Sequence, residues 1–68
     1  MSKKILQNKV QQYRKGAGDT QQQLAEAVGI TRQTVIAIEK GNYTPSVDLA
    51  FRLSAYFSCS VEELFYYA

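Results

Sequence analysis

The sequence predicts an all-α fold, a compact domain of five helices, and three observations carry that expectation. Thr20, Thr31, Ser46 and Ser60 stand where helix N-caps belong, each ahead of apolar residues spaced by three and four. Glycines follow the last periodic position of the early segments, where a residue able to adopt positive φ can close a helix. No segment alternates apolar and polar residues over strand length, so no sheet is expected.

Helix 1 is expected over about residues 6–15, with Leu6, Val10 and Tyr13 on its inner face and Gly16 and Gly18 beyond it. Residues 1–4, Met-Ser-Lys-Lys, have the character of a loose arm, and Lys3 and Lys4 suit either groove tracking or disorder. Helix 2, about 21–28, starts from the capping box Thr20-x-x-Gln23, in which the N3 side chain reaches back to the cap amide. Its inner residues are Leu24, Ala25 and Val28, and Gly29 closes it. The run Gln21-Gln22-Gln23 is then the cap and solvent side of an amphipathic helix rather than low-complexity sequence.

Helix 3, about 32–40, has no capping box because Thr34 occupies N3, but Ile30 and Val35 stand at the staple positions around the Thr31 cap. Val35 and Ile38 face inward and Gly41 ends it. Pro45 precedes the Ser46 cap of helix 4, about 47–57, whose core candidates are Val47, Leu49, Ala50, Leu53 and Phe57. A second box, Ser60-x-x-Glu63, opens helix 5, about 61–65, with Val61, Leu64 and Phe65 inward. Apolar positions run along the whole chain, so residues 1–68 form one cooperative domain without linkers.

Composition narrows the function. The chain has 68 residues, 46% of them apolar and 21% charged, which fits one small folded domain with a modest core and little room for a deep catalytic cleft. Zero His and one Cys exclude a zinc site and an intramolecular disulfide. Cys59 has no histidine to activate it, reads as a small apolar residue, and fits a reducing cytoplasm. The longest interior apolar run is Val35-Ile36-Ala37-Ile38, far short of a membrane span, so no membrane association is expected. No acid-base or nucleophile constellation suggests an enzyme, and nothing implies a cofactor or small-molecule ligand.

Charge is uneven. Residues 1–40 carry seven Lys or Arg against three acids, net +4, while residues 41–68 carry net −2. That asymmetry suggests a face meant for a polyanion, although a net charge of +2 does not decide the matter.

The spacing within Gln21–Lys40 is more specific. Counted from Gln21 as position one, Leu24, Ala25, Val28, Gly29, Ile30, Val35 and Ile38 fall at positions four, five, eight, nine, ten, fifteen and eighteen. Ala25 must be small where the next helix crosses, Gly29 makes the turn, and the apolar positions hold two helices at a steep angle. This resembles the bacterial helix-turn-helix. With Val10-x-x-Tyr13-Arg14, Thr31-Arg32-Gln33-Thr34-Val35, Ile38-Glu39-x-Gly41 and Pro45-Ser46-x-x-Leu49-Ala50, the chain over about residues 6–65 resembles the five-helix phage-repressor family of lambda repressor, Cro and Xre-type regulators. Two positions depart from the family pattern. Asp19 replaces an apolar residue, which predicts a looser corner between helices 1 and 2, and Tyr13 replaces a leucine.

The resemblance implies sequence-specific binding of double-stranded DNA by a small transcriptional regulator, a repressor, with helix 3 in the major groove. Arg32, Gln33, Thr34 and Ala37 then become base contacts, Arg suiting guanine, Gln suiting adenine and Ala37 a thymine methyl. Gln21, Thr31, Lys40, Asn42, Tyr43 and Thr44 become phosphate contacts, and Arg14 with Glu39 a partly buried structural ion pair. Outside such a motif an exposed Arg or Gln at a helix start is ordinarily only solvated, and Asn42 to Thr44 equally suit turn chemistry. One such motif reads few base pairs, which implies a homodimer on a pseudo-palindromic operator, its seam at Phe65, Tyr66 and Tyr67. The rival reading is an antitoxin-like or anti-repressor partner, a protein-interaction module using Tyr56, Phe57, Phe65, Tyr66 and Tyr67 as a docking patch.

Overall fold

A computed structural model describes residues 5–68; the expected arm at residues 1–4, with Lys3 and Lys4, lies outside them. In chain order the elements are β1 (Leu6–Asn8), α1 (Val10–Gly16), α2 (Gln21–Val28), α3 (Arg32–Lys40), α4 (Val47–Tyr56), α5 (Val61–Leu64) and β2 (Phe65–Tyr67). Five helices are present as expected, and a small sheet is added to them.

That sheet corrects the expectation of an all-helical chain. Strands β1 and β2 pair antiparallel, Leu6 opposite Tyr67, Gln7 opposite Tyr66 and Asn8 opposite Phe65. The ladder is extended by Ile5 and Ala68, which exchange N–H···O bonds of 3.0 Å in both directions, and by Lys9 N–H donating to Leu64 O at 2.9 Å. Helix 1 accordingly starts at Val10, not near residue 6, and helix 5 ends at Leu64. Asn8 is the physical reason for the late start. Its Oδ1 accepts the Val10 N–H at 3.1 Å, satisfying one of the amides that a helix start leaves free, while its Nδ2 donates to the Ile38 carbonyl of α3 at 2.9 Å.

The middle elements form where local chemistry places them. Both capping boxes are complete, Thr20 with Gln23 and Ser60 with Glu63, and Thr31 and Ser46 accept from the N3 amides of α3 and α4. The bonds that Ser60 donates to Glu63 also hold its carboxyl below the usual carboxylate range. Gly29 and Gly41 close α2 and α3 in the left-handed region, at φ 76° and 80°. At Gly29 a Cβ would in addition lie 3.3 Å from the Arg52 guanidinium. Helix α4 ends without a glycine, and Ser58 takes the left-handed turn there at φ 54°.

The core gathers Val10, Leu24, Ala25, Val28, Val35, Ile38, Leu49, Leu53 and Leu64, with Tyr13, Ile30, Phe57, Cys59 and Phe65 packed against it. Four expected core residues differ. Leu6 is half-buried in the sheet, Ala50 and Val61 are half-buried, and Val47 is 73% exposed because the first residue of α4 falls outside the stripe of Leu49 and Leu53. Burial pushes the Cys59 thiol up, which suits its packing role.

The corner between α1 and α2 is tied rather than loose. Asp19 N–H donates to Arg14 O at 3.1 Å, Arg14 Nη1 donates to Asp19 O at 2.9 Å, and the Tyr56 hydroxyl donates to the Asp19 carboxylate. Polar bonds there replace the apolar staple.

Ala25 is fully buried between α2 and α3, so added bulk must push the two helices apart. We expect Ala25→Leu to lower the unfolding free energy by about 1–3 kcal/mol, measured by denaturant titration. An unchanged midpoint would contradict the close crossing.

Candidate nucleic-acid interface

Helices α2 and α3 are joined by a three-residue turn. The N–H of Ile30 returns to Ala25 O at 2.9 Å, and Arg52 of α4 donates to the Val28 carbonyl at 2.7 Å. The guanidinium thereby neutralises the negative end of α2 as well as completing its hydrogen bonding. Its second contact, to Asp48 at 2.7 Å one turn back on α4, is exposed and adds little.

On the far side of the turn, α3 divides into two faces. Val35 and Ile38 are buried, and roughly opposite them on the 3.6-residue helix stand Arg32, Gln33 and Lys40, all exposed, with Ile36 and Ala37 half-buried between. Arg32 and Gln33 lie in the first turn and carry no side-chain hydrogen bond to the rest of the chain among the described residues. Thr34 has another occupation. Its N–H donates to Thr31 Oγ1 at 3.2 Å and the two hydroxyls lie 2.9 Å apart, so both threonines complete the helix start.

The roll of α3 about its axis is held by Glu39. Its two carboxylate oxygens accept Arg14 Nε at 2.7 Å and Arg14 Nη2 at 3.2 Å, and Oε1 also accepts Gln21 Nε2 at 3.1 Å. The Arg14 and Glu39 side chains are only 10% and 4% exposed. The hydrogen bond to Glu39 raises the Arg14 pKa against the opposing effect of burial, so the guanidinium stays charged. An acid one residue from Lys40 is in this way neutralised internally.

Gln21 therefore has its amide nitrogen turned toward Glu39, while the backbone amides of Gln21 and Gln22, ahead of the capped Gln23 N–H, remain available at that end of the helix. Beyond α3, the N–H of Asn42 donates to Ala37 O at 2.9 Å, and Asn42, Tyr43 and Thr44 follow as an exposed loop, Tyr43 45% exposed. The start of α2, the outer face of α3 and this loop are thus consecutive parts of one structure.

The C-terminal aromatic residues are divided between core and surface. Phe65 packs on the core, Tyr66 lies with its ring centroid 5.6 Å from Lys9 Nζ, and Tyr67 alone is largely free at 67% exposure. Phe57 lies against Tyr13 with centroids 5.6 Å apart, and Tyr56 is tied to Asp19. A different apolar pair, Val47 and Phe51 on consecutive turns of α4, is more exposed.

Four contributors escaped the sequence reading: Asn8, Arg52, the Asp19–Tyr56 pair and Ile36. Asn8 carried a signal, since an Asn two residues before a helical apolar rhythm is a capping candidate. The contacts of Arg52 and Tyr56 join residues 24 and 37 positions apart, and nothing local announces them. Among the described residues no cluster of His, Cys, Asp and Glu is arranged to hold a metal, and no helix is long and apolar enough to cross a membrane.

A family model described as helix-turn-helix matches residues 10–64 of the chain. An uncharacterised HTH-type transcriptional regulator of Methanocaldococcus jannaschii is 45% identical over 62 residues, covering 91% of this chain and 94% of its own length. The uncharacterised HTH-type transcriptional regulator YgzD of Bacillus subtilis is 48% identical over 61 residues, covering 90% and 92%. In three dimensions the fold is similar to a crystal structure from Bacteroides fragilis described as a candidate DNA-binding protein, with a TM-score of 0.81 at 18% identity over 91% of this chain and 100% of that one.

Removing Arg14 leaves the Glu39 carboxylate buried with one neutral donor. We expect Arg14→Met to destabilise the fold by about 3–5 kcal/mol and Arg14→Met with Glu39→Met to recover most of that loss, read from chemical denaturation. A single variant as stable as the parent would show that the pair does not hold α3.

Proposed function

This chain belongs to the Xre-type helix-turn-helix family, and we propose that it is a small transcriptional repressor that binds double-stranded DNA sequence-specifically through α3. The observation that carries this reading is the division of α3: one face locked by Val35, Ile38 and Glu39, the other offering Arg32 and Gln33, unengaged, in the first turn. A rigid helix with free guanidinium and carboxamide groups at its N-terminal end has the chemistry to pair with guanine O6 and N7 and adenine N6 and N7 in a major groove.

The remaining roles follow from position. The first turn of α2 at Gln21, the Thr31 end of α3, Lys40, and the loop Asn42, Tyr43 and Thr44 flank that helix and serve the phosphate backbone, which fixes register without reading sequence. Ala37, against a thymine methyl, and the methyl group of Thr34, whose hydroxyl is engaged by Thr31, complete the base-facing set. A single copy covers too few base pairs to compete with bulk DNA, so the active species is a homodimer on a pseudo-palindrome, with recognition helices about 34 Å apart. Tyr66 and Tyr67 of β2 and Val47 and Phe51 of α4 are the apolar surfaces available to join the two copies.

Arg32→Ala should relax preference at one position of each half-site and cost about 1–3 kcal/mol there, whereas Lys40→Ala should weaken binding to all duplexes alike. Selection from a random duplex pool followed by anisotropy titration measures both; an unchanged consensus with Arg32→Ala would contradict the assignment of roles. Sedimentation with the selected duplex should give two protomers per site, and one protomer at saturation would refute the dimer. Tyr66→Ala with Tyr67→Ala, compared with Phe51→Ser, identifies the surface that joins them.

A further inference from the structure

Ile36 is the one large aliphatic side chain in the middle of the outer face of α3. It follows Arg32 by one turn and precedes Lys40 by one turn, so a β-branched hydrocarbon stands between two cations on the same helical row. It is half-buried, yet it does not belong to the core and is not among the residues packed against it. Val35 and Ile38, its neighbours in sequence, are 1% and 0% exposed and complete the inner face without it. Ala37, beside it, is likewise half-buried and has no polar atom beyond the backbone. The second turn of this helix therefore offers hydrocarbon where the first turn offers hydrogen-bonding groups.

We propose that Ile36 is a specificity-determining residue that reads the 5-methyl group of thymine, with Ala37 widening the same apolar step. This rests on the DNA-binding reading above. In the major groove thymine is distinguished by a methyl group, and an aliphatic side chain gains from covering it while leaving the polar edges of the other bases without partners. The flanking cations fit this occupant: both draw a polyanion to the row, and Ile36 meets the base edges between the base read by Arg32 and the phosphate held by Lys40. The site selected by this protein should then contain thymine next to the base read by Arg32 or Gln33, on the side toward the C-terminal end of α3.

Deoxyuridine removes the methyl group and nothing else, so it isolates the contact. The probe is the 20-base-pair duplex that the full chain itself enriches from a random pool, with each thymine replaced singly by deoxyuridine and titrated by fluorescence anisotropy at one salt concentration. The parent protein should lose about three- to tenfold in affinity at one or two positions of each half-site, the change expected for uncovering one methyl contact. Ile36→Ser should bind more weakly and lose the distinction at those positions, while its melting transition stays with that of the parent because Ile36 lies outside the core. Discrimination at the same positions that survives Ile36→Ser would overturn the proposal, as would equal affinity for every thymine and deoxyuridine duplex. If the protein enriches no duplex at all, the DNA-binding premise fails and takes the proposal with it; enrichment without a deoxyuridine effect defeats the proposal alone.

Discussion

Glu39 is the point at which the first three helices meet. Its carboxylate belongs to α3, its cationic partner Arg14 to α1, and its third donor, Gln21, to the start of α2. Buried to 4% exposure, it is tolerable only while all three donors are in place, because an unpaired carboxylate in that environment carries a desolvation cost of several kcal/mol. The contact is therefore less a source of net stability than a condition on geometry. With Val35 and Ile38 fixed on one side and Glu39 beside them, α3 has a single permitted roll, and the residues left on the outside are Arg32, Gln33, Ile36, Ala37 and Lys40. What the chain can recognise depends on that roll.

The ends of the two motif helices are fastened separately. Arg52 takes the Val28 carbonyl at the end of α2, and Asn8 takes the Ile38 carbonyl near the end of α3. Each uses a side chain from outside the motif to satisfy a backbone group that a helix end leaves open. Asn8 sits in β1, which is paired to β2, so both ends of the described chain are connected through the sheet to the back of α3. The sheet is too small to stand alone. It works as a clasp, drawing Phe65 onto the core and stopping α5 after one turn. Among the described residues no buried side-chain nitrogen or oxygen lacks a partner, as a small domain with little core to spare requires.

The parts legible in the sequence are those specified within a few residues. The caps at Thr20, Thr31, Ser46 and Ser60, the left-handed turns at Gly29 and Gly41, and the rhythm Leu24, Ala25, Val28 are local chemistry, and the helices they predict lie within a residue of their observed ends. The start of helix 1 is not legible, because Leu6, Val10 and Tyr13 have helical spacing although Leu6 is in a strand. Three residues are too few to display a period of two, and the pairing of β1 joins residues 61 positions apart at Leu6 and Tyr67, which no window along the sequence contains. The same holds for Asp19, whose polarity announces a missing apolar contact but not that Tyr56 would supply a hydroxyl. At the candidate interface, the spacing identifies which face of α3 is outward. It does not reveal that the Thr34 hydroxyl is engaged by Thr31 or that Gln21 is turned toward Glu39.

If one face of α3, set by Glu39, meets duplex DNA, the amides of that face must respond to it. Backbone amide shifts of the isotopically labelled chain, followed during titration with its selected duplex, test this most directly. The largest changes should map to Arg32 through Ala37, with a second set at the start of α2 and in the loop Asn42 to Thr44, while the amides of β1 and α5 move little. Changes concentrated instead on β2 and the Tyr56–Phe57 end of α4, with α3 unmoved, would contradict it.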